Sequence, residues 1–248
     1  MQFFHSSRLL LGAAIAIAGG ALGLVACSGE WSTPVLARVF LVDGPSVQID
    51  EENTPKGSPH FDRLIGAGSH WVLPTGKRAI IFLVPGIMAT AANETELEIK
   101  ELRLAKDGNE TEFDMKGRKV GLRLLRGDLI VSVAVEESRI DVQIETGNGI
   151  LAVESGSLLE VRTRADRIHI ACLRGKIQLE TRKMGKVAPL RAGYWCDWRG
   201  GEAFPGEPVA ATANLQIQKQ FDAAFDAETY MRKLLLAEQQ SVPKWRHP

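Results

Sequence analysis

Charge of one sign is what this chain most conspicuously lacks. Among its 248 residues, 30 Lys plus Arg are balanced by 30 Asp plus Glu. Without a positive excess there is nothing to neutralise phosphates or anionic headgroups, and nucleic acid is excluded as a partner. Signatures of chemistry are missing as well. There is no G-x-S-x-G elbow or phosphate-binding loop, and the TGNG at Thr146 to Gly149 holds turn residues only. His60, His70, His169 and His247 stand at no metal-ligand spacing from one another or from Cys, Asp or Glu. The carboxylates are scattered along strand faces. The expectation is therefore a protein that is not an enzyme, with no catalytic residue, no metal and no cofactor. Long apolar runs are missing too, with one exception.

That exception is the leader. Arg8 precedes LLLGAAIAIAGGALGLVA, and Leu9 to Ala26 is 18 residues long, close to spanning length. A basic start, an apolar run and small residues at its end fit a secretory signal peptide over residues 1–26. Leu24-Val25-Ala26-Cys27 resembles the lipobox of bacterial lipoproteins, whose cysteine is lipidated and becomes the mature first residue. The resemblance implies a membrane partner through lipid on Cys27. Ser28 follows, where an Asp would imply inner-membrane retention, so the implied location is the periplasm, at the inner face of the outer membrane. Several buried acyl chains hold where one does not. Of the three cysteines, Cys172 and Cys196 then remain in an oxidising compartment. They read either as a disulfide, contributing on the order of 3 kcal/mol, or as two separate buried thiols, since Cys172 continues the apolar face of Ile168 and Ile170.

What is abundant is alternation. From Leu124 to Trp198 apolar residues recur at every second position between turn residues, the pattern of half-buried antiparallel strands. Val120, Leu122 and Leu124 share one parity, then Leu129 to Val135, then Ile140, Val142 and Ile144. Upstream, Val35 to Val42 with Asp43-Gly44, Val47 and Ile49 predicts a first hairpin, and residues 50–59 a surface loop. Arg78 to Val84 is a continuous apolar run suited to a strand buried on both faces. Leu97 and Ile99 fall on one parity, Leu102 and Leu104 on the other, so a β-bulge is expected near Lys100 and Glu101. Asn93-Glu94-Thr95 and Asn109-Glu110-Thr111 match the glycosylation sequon and read as surface turns, and residues 112–115 as a brief strand. Turns at this spacing point to an all-β sandwich or barrel.

These residues resemble the FecR domain, from about Gly66 to Trp198. WVLPTGKRAIIFLVPGIMATAANETELEI is similar to the family's opening, LLRGDL to its leucine-and-glycine turn, and IETGNG to its threonine-bearing turn. CLRGKIQL is similar to its closing hairpin and LRAGYW to its final turn. Gly156, Ser157, Leu159 and Val161 keep the family's spacing with smaller or aliphatic side chains. The resemblance implies an antiparallel β-sandwich of jelly-roll-like form, acting as an envelope sensor or scaffold through an envelope protein partner. FecR-type regulators carry a cytoplasmic segment that restrains a sigma factor. A signal peptide and tether stand in its place here, so direct sigma-factor control is not expected.

The organisation read from the sequence is a signal peptide (1–26), a tether (27–34), a FecR-like β domain (35–199), a linker (200–208), a C-terminal helix (209–240) and a tail (241–248). Ala210 to Gln240 is free of Pro and Gly and favours an amphipathic α-helix, with Thr212 as its cap. Phe221, Ala224, Phe225, Met231, Leu234 and Leu235 form a stripe that is irregular between Phe225 and Met231. The helix either covers the sandwich or is offered to a partner. Trp71, Tyr194, Trp195 and Trp198 are the candidate ligand surface, for a protein or for a glycan such as peptidoglycan. The competing reading is that some of them belong to the core, because Tyr194 and Trp195 must face opposite sides of a strand.

Overall fold

The computed structural model describes residues 32–43, 63–106, 117–135, 139–181, 185, 187–200, 202 and 205–241. The signal peptide, Cys27, Val47 and Ile49, the loop at 50–59, His60, the sequon at Asn109, the strand expected at 112–115 and the tail from 242 lie outside these residues.

Two long strands carry the fold, β6 (Ile87–Ala105) and β7 (Gly117–Val133), antiparallel neighbours throughout. Their register breaks between Ala92 and Leu97, opposite Gly127. Gly127 has φ 94°, and a Cβ on it would lie 2.3 Å from the Cα of Thr95, so the close crossing requires glycine. Here both strands bend and pass from one layer of the sheet to the other. Asn93 and Glu94, both exposed and left-handed in φ, make the tip of the bend. A second register shift, between Ile99 and Glu101, is the expected bulge.

Around the first half of this hairpin lie β2 (Ala37–Asp43), β3 (Arg63–Ile65), β5 (Lys77–Val84), β10 (Leu158–Thr163), β11 (Arg167–Arg174), β14 (Tyr194–Arg199) and β15 (Val209–Ala210). Around the second half lie β1 (Ser32–Pro34), β4 (His70–Val72), β8 (Ile140–Glu145), β9 (Gly149–Val153), β12 (Lys176–Thr181) and β13 (Val187–Arg191). Ser32–Pro34, expected in the tether, pairs with Arg103–Ala105 and so belongs to the sheet. Hairpins within a layer (β8–β9, β10–β11, β12–β13) alternate with crossings between layers. The stretch Cys172 to Leu179, expected as a hairpin, is one of these crossings, since β11 pairs with β10 and β14 while β12 pairs with β9 and β13. Gly175 makes the corner at φ 78°, where a Cβ would meet Ser157 Oγ at 2.3 Å.

The inner faces of both layers share one apolar core. Ile81, Leu97, Leu122, Val131, Ile144, Ile170, Leu179 and Trp198 all lie within it. The architecture is thus all-β and mostly antiparallel, folded as a sandwich, with a single C-terminal helix. β5 reads as a continuous apolar run because both of its faces are covered: Ala79, Ile81 and Leu83 point into the sandwich, Ile80 and Phe82 the other way.

That other side is covered by α1 (Leu215–Ser241). Ile217, Phe221 and Ala224 pack on Leu158, Ala171 and Leu173, while Met231 and Leu234 pack on Phe40, Ile80, Phe82 and Met88. Each large side chain so buried stabilises by about 1.5–3 kcal/mol. The helix, roughly 40 Å long at 1.5 Å per residue, therefore crosses the outer face from β11 to β2. Asn214, not Thr212, caps it: Asn214 Oδ1 accepts from the Gln216 and Ile217 amides at 2.9 and 3.3 Å, while Thr212 sits in a preceding 3-10 turn. Phe225 departs from the expected stripe and is exposed.

Candidate functional site

The four aromatic residues expected to form a ligand surface are not brought together. Trp71 and Trp198 are buried in the sandwich core, and the Trp198 indole donates to the carbonyl of Glu202 at 3.2 Å. Tyr194 is 42% exposed at the far end of β14. Trp195 points to the opposite side, packed under the helix against the cluster of Leu158 and Phe221. Strand parity and the demand of the core for large side chains account for the dispersal.

Trp195 does, however, line a cleft of about 310 Å³ between the first turns of α1 and the sheet. The β10–β11 hairpin supplies Arg162, Arg164, Arg167 and His169; β14 adds Asp197, and the helix adds Gln216 and Gln220. Arg164 N–H donates to the Arg167 carbonyl at 2.8 Å to close the hairpin, which gathers three guanidinium groups at one end of the layer. Each has a carboxylate nearby. Arg162 donates through Nε and Nη2 to Glu160 Oε1 at 2.8 and 2.7 Å, Arg164 Nη2 lies 2.7 Å from Asp128, and Arg167 Nη1 lies 3.4 Å from Asp197.

The electrostatics follow from burial. Desolvation pushes the Glu160 carboxyl above the usual carboxylate range, opposed by Arg162. Desolvation likewise lowers the His169 pKa, opposed by Asp197, favouring a neutral ring whose Nδ1–H donates to Asp197 Oδ1 at 3.0 Å. The His169 ring also lies 5.1 Å from the ring of Trp195. Three buried polar atoms of the lining have no hydrogen-bond partner among the described residues: His169 Nε2, Trp195 Nε1 and Gln220 Oε1. An unmatched buried polar atom costs about 1–3 kcal/mol; these three are closed off by the side chains packed around them and are not open to the cleft.

A carboxylate clamp fixes the helix that roofs this cleft. Glu228, 5% exposed, receives the Ser132 hydroxyl at 2.6 Å, Arg174 through two nitrogens at 2.9 and 2.7 Å, and Arg232 at 2.9 Å. Burial opposes its ionisation, but these donors prevail and hold its pKa down at about 2. Arg174 Nε in turn donates to the Gly156 carbonyl at 2.9 Å, tying the helix to the crossing between layers.

Cys172 and Cys196 are free, buried thiols, so the disulfide is not formed. They face the same core but are offset along adjacent strands, Cys172 opposite Tyr194 and Cys196 opposite Ile170. Such diagonal neighbours lie about 7–8 Å apart, beyond disulfide reach. Burial raises both thiol pKa values to about 12.

None of the cleft residues except Trp195 was a sequence candidate. The available signal was the run Arg162-Thr163-Arg164-Ala165-Asp166-Arg167, three arginines at a hairpin tip within an otherwise balanced chain.

Residues 73–178 match the family model described as FecR protein. Two crystal structures of a "putative anti-sigma factor" from Parabacteroides distasonis ATCC 8503, at 2.50 and 1.65 Å resolution, align with 14% identity and a TM-score of 0.37 each. Each alignment covers 58% of this chain and a little over half of the other, 56% and 57%. No curated protein matches the chain at a significant level.

Proposed function

We propose that the protein works by binding, as an envelope sensor or scaffold acting through protein–protein contact, a reading that starts from the match of residues 73–178 to the family model described as FecR protein. The family match carries this reading. The cleft supports it, because its lining of guanidinium, amide and indole groups is equipped to hold a partner rather than to transform one. Lipid on Cys27 anchors the chain at the periplasmic face of the outer membrane, a reading supported by the leader and its Leu24-Val25-Ala26-Cys27 junction. Trp71 and Trp198 lie in the core, which leaves the glycan alternative without its aromatic platform. Crosslinking in the intact envelope, followed by membrane fractionation, tests the proposal. Recovery of one defined envelope protein with the outer-membrane fraction supports it. Recovery of wall polymer without protein overturns it.

A further inference from the structure

We propose that Asn148 is a site of self-modification: once the end of β14 lets go of its side chain, the amide is lost by spontaneous ring closure with Gly149, leaving an acidic residue that cannot restore the contact.

The chemistry follows from one dipeptide. Of the five asparagines in the chain, only Asn148 precedes a glycine. With no Cβ on the second residue, nothing shields its backbone nitrogen from the side-chain amide before it. The Gly149 nitrogen gives up its proton and attacks Cγ of Asn148. The side-chain nitrogen departs as ammonia, carrying that proton, and a cyclic imide remains. Water then opens the imide at either carbonyl, to aspartate or to its isomer in which the backbone runs through the side-chain carboxyl. One amide is exchanged for one acid, and only water is consumed.

The fold demands both residues of this reactive pair. A Cβ at position 149 would lie 2.2 Å from the Glu180 carbonyl oxygen and 2.5 Å from the Trp198 indole, so packing there requires glycine. At position 148 the side chain must donate: Nδ2 reaches the Trp198 carbonyl at 3.0 Å and the Arg199 carbonyl at 3.2 Å. These two bonds fasten the β8–β9 hairpin of one layer to the end of β14 in the other.

The same contacts hold the reaction off. The two carbonyls fix the orientation of the Asn148 amide. Gly149 is buried; its N–H donates to Thr146 Oγ1 at 3.3 Å, and its carbonyl accepts from the Thr146 N–H at 2.8 Å and the Thr146 hydroxyl at 3.0 Å. Neither reactant turns toward the other while the β14 end stays in place. Local opening there breaks both Asn148 bonds and takes the Trp198 ring off Gly149. After conversion a carboxylate, which only accepts, would face two carbonyl oxygens. The opening is thus written permanently into the covalent structure, at a contact that joins the two layers.

The test follows the amide directly. Full chain in detergent micelles is held in mildly alkaline buffer with and without urea, and the peptide carrying residue 148 is followed by mass spectrometry and by isoaspartate-specific methylation. Conversion at Asn148 should be slower in the native protein than in urea by about tenfold or more, and should rise with urea below the global transition as the β14 end opens. Asn93 and Asn214, followed by Glu94 and Leu215, should remain amides under both conditions. Asn148→Asp, which places the product acid in the fold from the start, should melt several degrees below the native protein. Equal conversion rates with and without urea, no conversion at Asn148 in urea, or an unchanged melting temperature in Asn148→Asp would each overturn the proposal.

Discussion

Ser132 on β7 and Glu228 on α1 stand 96 residues apart in the chain and meet in a hydrogen bond of 2.6 Å beneath the helix. The carboxylate also takes Arg174 from β11 and Arg232 from its own helix, so one acidic side chain joins strand, crossing and helix. It occupies a position on the buried stripe that an apolar residue would otherwise fill.

Glu228→Gln should destabilise the protein by about 2–3 kcal/mol, because Arg174 and Ser132 lose an ionised acceptor under the helix. The pH dependence has a definite sign. The folded pKa of about 2 lies below the ordinary 4.5, so the unfolded chain takes up the proton first as pH falls. This stabilisation is present above pH 4.5 and is lost between there and pH 2. Urea unfolding across that window should give a steep acid limb in the native protein and a shallower one in Glu228→Gln.

Phe221→Ala should cost about 3–5 kcal/mol, the range for truncating a buried aromatic, since Phe221 is 4% exposed between the helix and the sheet. Removing residues 209–248 should give an associating, dye-binding remainder, because it bares Phe40, Phe82, Met88 and Leu173 together. A monomeric remainder with an unchanged melting temperature, seen by light scattering and calorimetry, would contradict the covering role of the helix.

Gly127→Ala should cost more than the ~1 kcal/mol of an ordinary strained glycine, since its new methyl meets the Thr95 backbone rather than a movable side chain. A thermal melt of the variant checks this. Gly68→Ala, with similar φ but open space around it, should show only the conformational part.

Cys172 and Cys196 should resist alkylation at pH 8 in the folded protein, since both are buried with pKa values raised to about 12. Unfolding without reductant should release both to iodoacetamide. Peptide mass mapping showing a 172–196 crosslink in the native protein would contradict the strand register.

The fold was legible where one covered face made parity speak. The alternation from Val120 onward, the doubly buried run at β5 and the bulge before Glu101 all appear as expected. Connections were harder. The glycine turn at Gly175 looks the same in sequence whether the chain doubles back or crosses to the other layer, because layer membership depends on pairings with β9 and β14. For the same reason Val120–Leu124 and Leu129–Val133 read as two strands, although β7 runs through both. The gap in the helical stripe between Phe225 and Met231 was visible, but its occupant was not. Glu228 fills it, and nothing local marks a glutamate as buried when its main partners, Ser132 and Arg174, lie far away in the chain. The cleft suffered likewise: the arginine run was on display, while its other walls, Trp195 and Gln220, reach it only when β14 and the helix meet.

Because β6 and β7 belong to both layers, the sandwich has no seam. A load applied at one layer passes along two continuous backbones into the other. A protease that cut either strand at the bend would unmake both faces of the core at once, and with them the floor on which the helix rests.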